Sequence, residues 1–174
     1  LAGAESLTLD NGGVPAQVVV EQGAHVIDRP LALTAGLDAA PASGTQLALT
    51  RGISGTGALR VTDAGTVFLT GTNLTGVTEV LSGTLKINES GVLGGASATV
   101  ALNGGTLETT GSVTLGGAGQ PLLNVGSAGG RITQPSGATL TLGGGATAGS
   151  GTLTVENGTL KPGGAITVGG YALN

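Results

Sequence analysis

The sequence predicts an all-β fold, a parallel β-solenoid (β-helix) of roughly seven coils, and three observations predict it. Apolar and polar residues alternate in runs of three to five, the two-residue period of a strand, with almost no stretch at helical spacing. Glycine and asparagine punctuate those runs, with 36 glycines in 174 residues. A longer period overlies the short one: GTLKI begins at Gly83, GTLET at Gly105 and GTLTV at Gly151, with GGRIT from Gly129 in the gap. A second series runs through GSVTL at Gly111, GATLTL at Gly137 and GTLKP at Gly158. Both recur at roughly 21 to 26 residues, the span of one solenoid repeat.

In chain order, strands are expected at 6–9 (SLTL), 17–20 (QVVV) and 47–50 (LALT), the first closed by the turn Asn11-Gly12-Gly13. Next come 59–61 (LRV), 67–69 (VFL) and 85–87 (LKI), the last closed by the polar stretch 88–91. Asn103-Gly104-Gly105 follows the strand 99–102 (TVAL), and Gly116-Gly117 follows 113–115 (VTL). The last three are 140–142 (LTL), 153–155 (LTV) and 166–168 (ITV), with Asn157-Gly158 turning the chain after the second.

Asn-Gly turns also favour hairpins, so a sandwich or barrel is the competing architecture. The repeated unit returns in one orientation, which makes stacked copies parallel, and the aromatics that fill sandwich cores are missing: one Phe, one Tyr and no Trp. In such strands residues two apart share a face. Leu85, Ile87, Leu107, Leu153, Val155 and Leu160 are therefore expected to point inward and stack as a core ladder, while Thr84, Lys86, Thr106, Glu108, Thr152 and Thr154 line the outer wall. Coils about 4.8 Å apart make a rod roughly 35 Å long. On this register Leu153→Asp unfolds neighbouring coils and Thr152→Asp hardly matters.

Charged residues are 9% of the chain and the formal net charge is −4, so there is no basic patch for nucleic acid and no polybasic strip for an anionic membrane. No run approaches the ~20 apolar residues that span a bilayer, so direct membrane insertion is not expected. The absence of Cys removes disulfides and thiolate metal sites and suits passage through a periplasm. With no Met, the chain reads as a piece of something larger.

Residues 57–109 carry Gly57-Ala58-Leu59, Thr70-Gly71-Thr72-Asn73, Gly76-Val77-Thr78-Glu79-Val80 and Gly83-Thr84-Leu85-Lys86-Ile87 in order. This resembles the autotransporter-associated β-strand repeat, with Leu74 standing where that family commonly has an aromatic. The end of the chain, NGTLKPGGAITVGGYALN, is similar to a segment late in autotransporter passenger domains. The resemblance implies a right-handed parallel β-helix secreted through the periplasm and outer membrane to a bacterial cell surface. It further implies a C-terminal translocator barrel in the parent protein. The expected function is that of a non-catalytic structural and adhesive stalk, a virulence-type adhesin. Its partners would be host surface proteins or glycans, or like chains on neighbouring cells. The alternative is a shaft presenting an upstream protease or esterase.

No cofactor, metal or catalytic residue is assigned. The stretch from Gly143 to Ala148 fits G-x-G-x-x-A, but another strand follows it instead of a pyrophosphate-binding helix. The Gly-Gly pairs lack the aspartates of a calcium-binding β-roll, and His25 is the only histidine. Asp63, Glu79, Glu89 and Glu108 come from different coils and could align as in a glycan-cleaving β-helix, yet no aromatic platform accompanies them. Outward Thr139/Thr141 and Thr152/Thr154 raise an ice-binding reading that Lys86, Glu108 and Lys161 interrupt. Asn73, Asn88 and Asn157 head formal glycosylation acceptors and read as turn residues.

Overall fold

The computed structural model describes residues 3–72, 76–95, 97–116, 118–119, 122–143 and 147–174, and it is a parallel β-solenoid of about seven turns. The first three coils each hold three strands: β1 (Leu7–Leu9), β2 (Ala16–Val20) and β3 (Ala24–Ile27); β4 (Leu31–Leu33), β5 (Gly36–Pro41) and β6 (Gln46–Leu49); β7 (Ile53–Gly55), β8 (Ala58–Val61) and β9 (Thr66–Leu69). The fourth holds β10 (Val77–Val80) and β11 (Thr84–Ile87). A 3-10 helix (Ser90–Leu93) opens the fifth, before β12 (Thr99–Leu102) and β13 (Thr106–Thr109). The remaining strands are β14 (Val113–Leu115), β15 (Leu122–Val125), β16 (Gly130–Thr133), β17 (Thr139–Leu142), β18 (Thr147–Gly149), β19 (Thr152–Glu156), β20 (Thr159–Pro162) and β21 (Gly170–Leu173).

Each strand pairs with its counterpart one coil on. A seven-stranded sheet runs from β2 to β18, an eight-stranded sheet from β3 to β21, and a third wall is made of β1-β4-β7 and β14-β17-β20. Between these two short sheets the 3-10 helix takes the wall's place, burying Val92 and Leu93, and Thr114 N–H donates to Ser90 Oγ at 3.0 Å. All pairings between the named strands are parallel, which excludes the hairpin architecture.

The core is a set of aliphatic columns inside these walls. One runs His25–Leu47–Val67–Leu85–Leu107–Ile132–Val155–Leu173 along the eight-stranded sheet. Beside it stand Ile27, Leu49, Leu69 and Ile87, and the buried Thr109 follows them. Leu85, Ile87, Leu107, Leu153 and Val155 are buried, while Leu160, on the third wall, is only half-buried.

The stacking differs from the expected ladder at one point. Matching the GTL units would put Leu153 over Leu107, but Ile132 lies over Leu107 and Val155 over Ile132, leaving Leu153 over Gly130. The register has slipped by two residues. A two-residue slip keeps every side chain on its own face, so burial does not oppose it. Coil length also varies more than the repeat suggests, since Leu85 stacks on Val67 only 18 residues earlier.

The expected strand 166–168 does not form; Ile166 and Val168 pack against the core from a loop, and the last strand is Gly170–Leu173. Asn157 (φ 60°) and Gly158 (φ 64°) turn the chain from the eight-stranded sheet onto the third wall between β19 and β20. The doubled GTL unit is thus two faces of one coil. Asn73, Leu74 and residues 144–146 of the Gly143–Ala148 stretch lie outside the described residues.

Candidate functional surface

Alternation along the strands of the eight-stranded sheet sends every second side chain outward, and parallel stacking lines these up in columns. One column reads Gln46, Thr66, Thr84, Thr106, Arg131, Thr154; its neighbour reads Ala48, Phe68, Lys86, Glu108, Thr133, Glu156. Lys86 Nζ donates to Glu108 Oε1 at 2.6 Å and lies 5.9 Å from the centre of the Phe68 ring. One coil further, Arg131 is paired with Glu156, whose second oxygen accepts from Thr133 Oγ1 at 3.4 Å.

The same device recurs on the other walls. On the seven-stranded sheet Arg60 grips Asp38 with two parallel bonds, Nε to Oδ1 at 2.6 Å and Nη2 to Oδ2 at 2.9 Å. That hydrogen bonding raises the Arg60 pKa, and the charge of Glu79, next in the column, acts in the same direction. Near the start of the rod, Arg51 Nε and Thr50 Oγ1 both donate to Asp28 Oδ1 at 2.7 Å. These bonds, Arg51's first, hold the Asp28 carboxyl below its ordinary range. Each of these ion pairs joins adjacent coils, so the charged side chains act as rungs between turns.

The four carboxylates weighed as a catalytic group are not brought together. Glu79 stands on the seven-stranded sheet and Glu108 is bound to Lys86 on the eight-stranded one. Asp63 sits in an exposed turn, its carboxylate accepting from Ala64 N–H at 2.7 Å, and Glu89 is exposed before the 3-10 helix. Among the described residues no group of three or more His, Asp or Glu could hold a metal ion. The two Thr pairs lie on different walls, Thr139/Thr141 on β17 and Thr152/Thr154 on β19, so they do not form one array. Of the G-x-G-x-x-A stretch, residues 144–146 lie outside the described residues, and the next described element is the strand β18. Asn88 and Asn157 are exposed.

Two of the concavities on the described surface lie along its walls. A polar groove of about 280 Å³ is lined by Gly104, Thr106, Gly129, Arg131, Thr152 and Thr154. It lies where Gly104 and Gly129, on successive coils, leave the wall bare of side chains. A larger groove of about 820 Å³ opens at the first coil among Val18, Val20, His25, Ile27 and Leu47. His25 is exposed there, its ring Nε2 3.1 Å from the Gln22 carbonyl. Sequence reasoning missed the rungs, though their signal was present: Asp38 and Arg60, like Lys86 and Glu108, are opposite charges 22 residues apart.

Comparison of the chain with models of protein families, with curated proteins and with solved structures finds no match.

Proposed function

We propose that this chain is a non-catalytic, adhesive β-helical stalk of a secreted bacterial autotransporter passenger. It holds interacting surfaces away from the bacterial cell and offers its own lateral wall to host proteins, glycans or like chains. The observation that carries the reading is the unbroken eight-stranded wall, whose coils are joined by a continuous backbone ladder and by charged rungs. Parallel stacking of this kind makes a stiff rod in which each coil contacts its neighbours, so the coils can order one after another as a chain is exported. The Thr-rich outer columns supply many weak hydrogen-bonding positions, the chemistry of a broad, low-specificity contact. The segments resembling passenger repeats fall on β8 to β13 and on β20 and β21. The second reading, a shaft carrying an upstream enzyme, uses the same mechanics and places the chemistry elsewhere.

The test is cell binding by the purified chain, labelled at an outer-wall position and titrated over host cells and over bacteria displaying it. Saturable binding that Thr→Val changes on the eight-stranded wall weaken supports the adhesive role. No binding at any concentration removes adhesion and leaves the shaft alone.

A further inference from the structure

The polar groove of about 280 Å³ lies on the outer face of the eight-stranded wall, over β13, β16 and β19. Each of these strands is paired on both sides: β13 with β11 and β16, β16 with β13 and β19, and β19 with β16 and β21. The groove therefore belongs to the face of the wall and not to an edge of it. Its floor is backbone at Gly104 and Gly129, whose φ of 109° and 79° side-chain-bearing residues rarely adopt, so the recess stays clear.

Three properties narrow what fits there. Both edges of every strand under the groove are taken, so an extended peptide cannot add to the ladder. The lining is made of hydrogen-bonding groups: Thr106, Ser127, Thr152 and Thr154 carry hydroxyls that donate and accept, and Arg131 carries guanidinium donors. Among the described lining residues none is aromatic or a large aliphatic, so an apolar ligand has nothing to pack on. Charge, finally, is balanced. Arg131 is the one charged residue among those described in the lining, and its ion pair with Glu156 sets fixed donors beside fixed acceptors with no net charge. An acidic ligand would have to compete with Glu156 for the guanidinium and approach a chain of net charge −4. Adjacent hydroxyls on a sugar ring, each able to donate and accept, match such a pair. Three strands span about 10 Å along the rod, room for two pyranose rings end to end.

We propose that this groove binds a neutral glycan, a short segment seated over Gly104 and Gly129 and hydrogen-bonded by Thr152, Thr154 and the Arg131–Glu156 pair. The inference rests on the adhesive reading of the stalk and names one ligand class for its wall.

The purified chain is applied to immobilised neutral oligosaccharides built from glucose, galactose and their N-acetylated amino sugars, beside sialylated and sulfated counterparts, and retained glycans are titrated by calorimetry. Two variants strip the groove of polar groups: Thr152→Val combined with Thr154→Val, and Arg131→Met. Thr66→Val combined with Thr84→Val makes the same change on the same wall outside the groove. Variants are compared once their circular dichroism matches the parent; the threonine pair breaks no rung, so it carries the test if Arg131→Met melts early. Saturable binding to neutral glycans is expected, weakened at least about tenfold by each groove variant and unchanged by Thr66→Val with Thr84→Val. No neutral glycan retained, tighter binding of the acidic counterparts, or equal losses inside and outside the groove would each overturn the proposal. Cell binding that the groove variants leave intact, with no glycan retained, would sink the groove and leave adhesion standing. Glycan binding through the groove without cell binding would keep the groove and remove adhesion.

Discussion

Leu107 gives the sharpest test of the inward register. It is fully buried, with Leu85 on one side of it in the column and Ile132 on the other. Neither neighbour can retreat without moving its own coil. Truncation to Ala removes the buried side chain and leaves a cavity between two fixed turns, at a cost of about 2–5 kcal/mol. For a chain of this length each kcal/mol shifts Tm by about 2–4 °C, so a fall of roughly 5–20 °C is expected. Thr106, one residue earlier, points outward and stacks against Arg131. Thr106→Asp is therefore expected to change stability by no more than about 0.5 kcal/mol. Thermal unfolding followed by circular dichroism measures both, and hydrogen exchange locates the damage in β11, β13 and β16. Similar losses in the two variants would refute the register, as would a harmless Leu107→Ala.

Gln134 is buried, and neither atom of its side-chain amide has a hydrogen-bond partner among the described residues; Gln134→Leu is expected to raise Tm by a few degrees in the same melts, since an unsatisfied buried amide costs about 1–3 kcal/mol. Gly55 has φ 120°, and a methyl group there would meet the Leu33 carbonyl oxygen, so Gly55→Ala is expected to lower stability by about 1–3 kcal/mol in urea titration. Asp28 has a depressed pKa in the folded rod, so its contribution is present above the unfolded pKa and is lost as pH falls through the folded one. Asp28→Asn is therefore expected to flatten the acid limb of the stability curve below about pH 4 and to lower stability at neutral pH.

Where a strand alternates cleanly, the sequence was enough to place it: LKI, TVAL and LTL all lie in strands with the apolar residues inward. Gly36–Pro41 escaped notice because GLDAAP does not alternate; it is held as a strand by its neighbours and by the bonds that Arg60 donates to Asp38. Register was the weaker part. Local pattern places Leu153 inward but does not choose between the column of Leu107 and the one two residues away, because both satisfy burial. In the structure Leu153 lies over Gly130, where a methyl group would meet the Leu102 side chain. The rungs were hidden for a different reason, being pairs between coils that become visible only once coil lengths of 22 and 25 residues are known. His25 looks like an isolated polar residue until its column is traced to Leu173.

The coils stack in a line, and distances along the eight-stranded wall measure that stacking. With no native Cys, pairs of spin labels can be placed at Gln46 and Arg131, at Gln46 and Thr154, and at Gln46 and Ala172. From β6 these partners lie on the fourth, fifth and sixth strands along the sheet. At about 4.8 Å per strand the backbone separations should be roughly 19, 24 and 29 Å. Pulsed electron resonance is expected to show the three distances rising by one equal step for each added coil. Distances that fail to rise in that order, or that shorten between the second and third pairs, would contradict the solenoid.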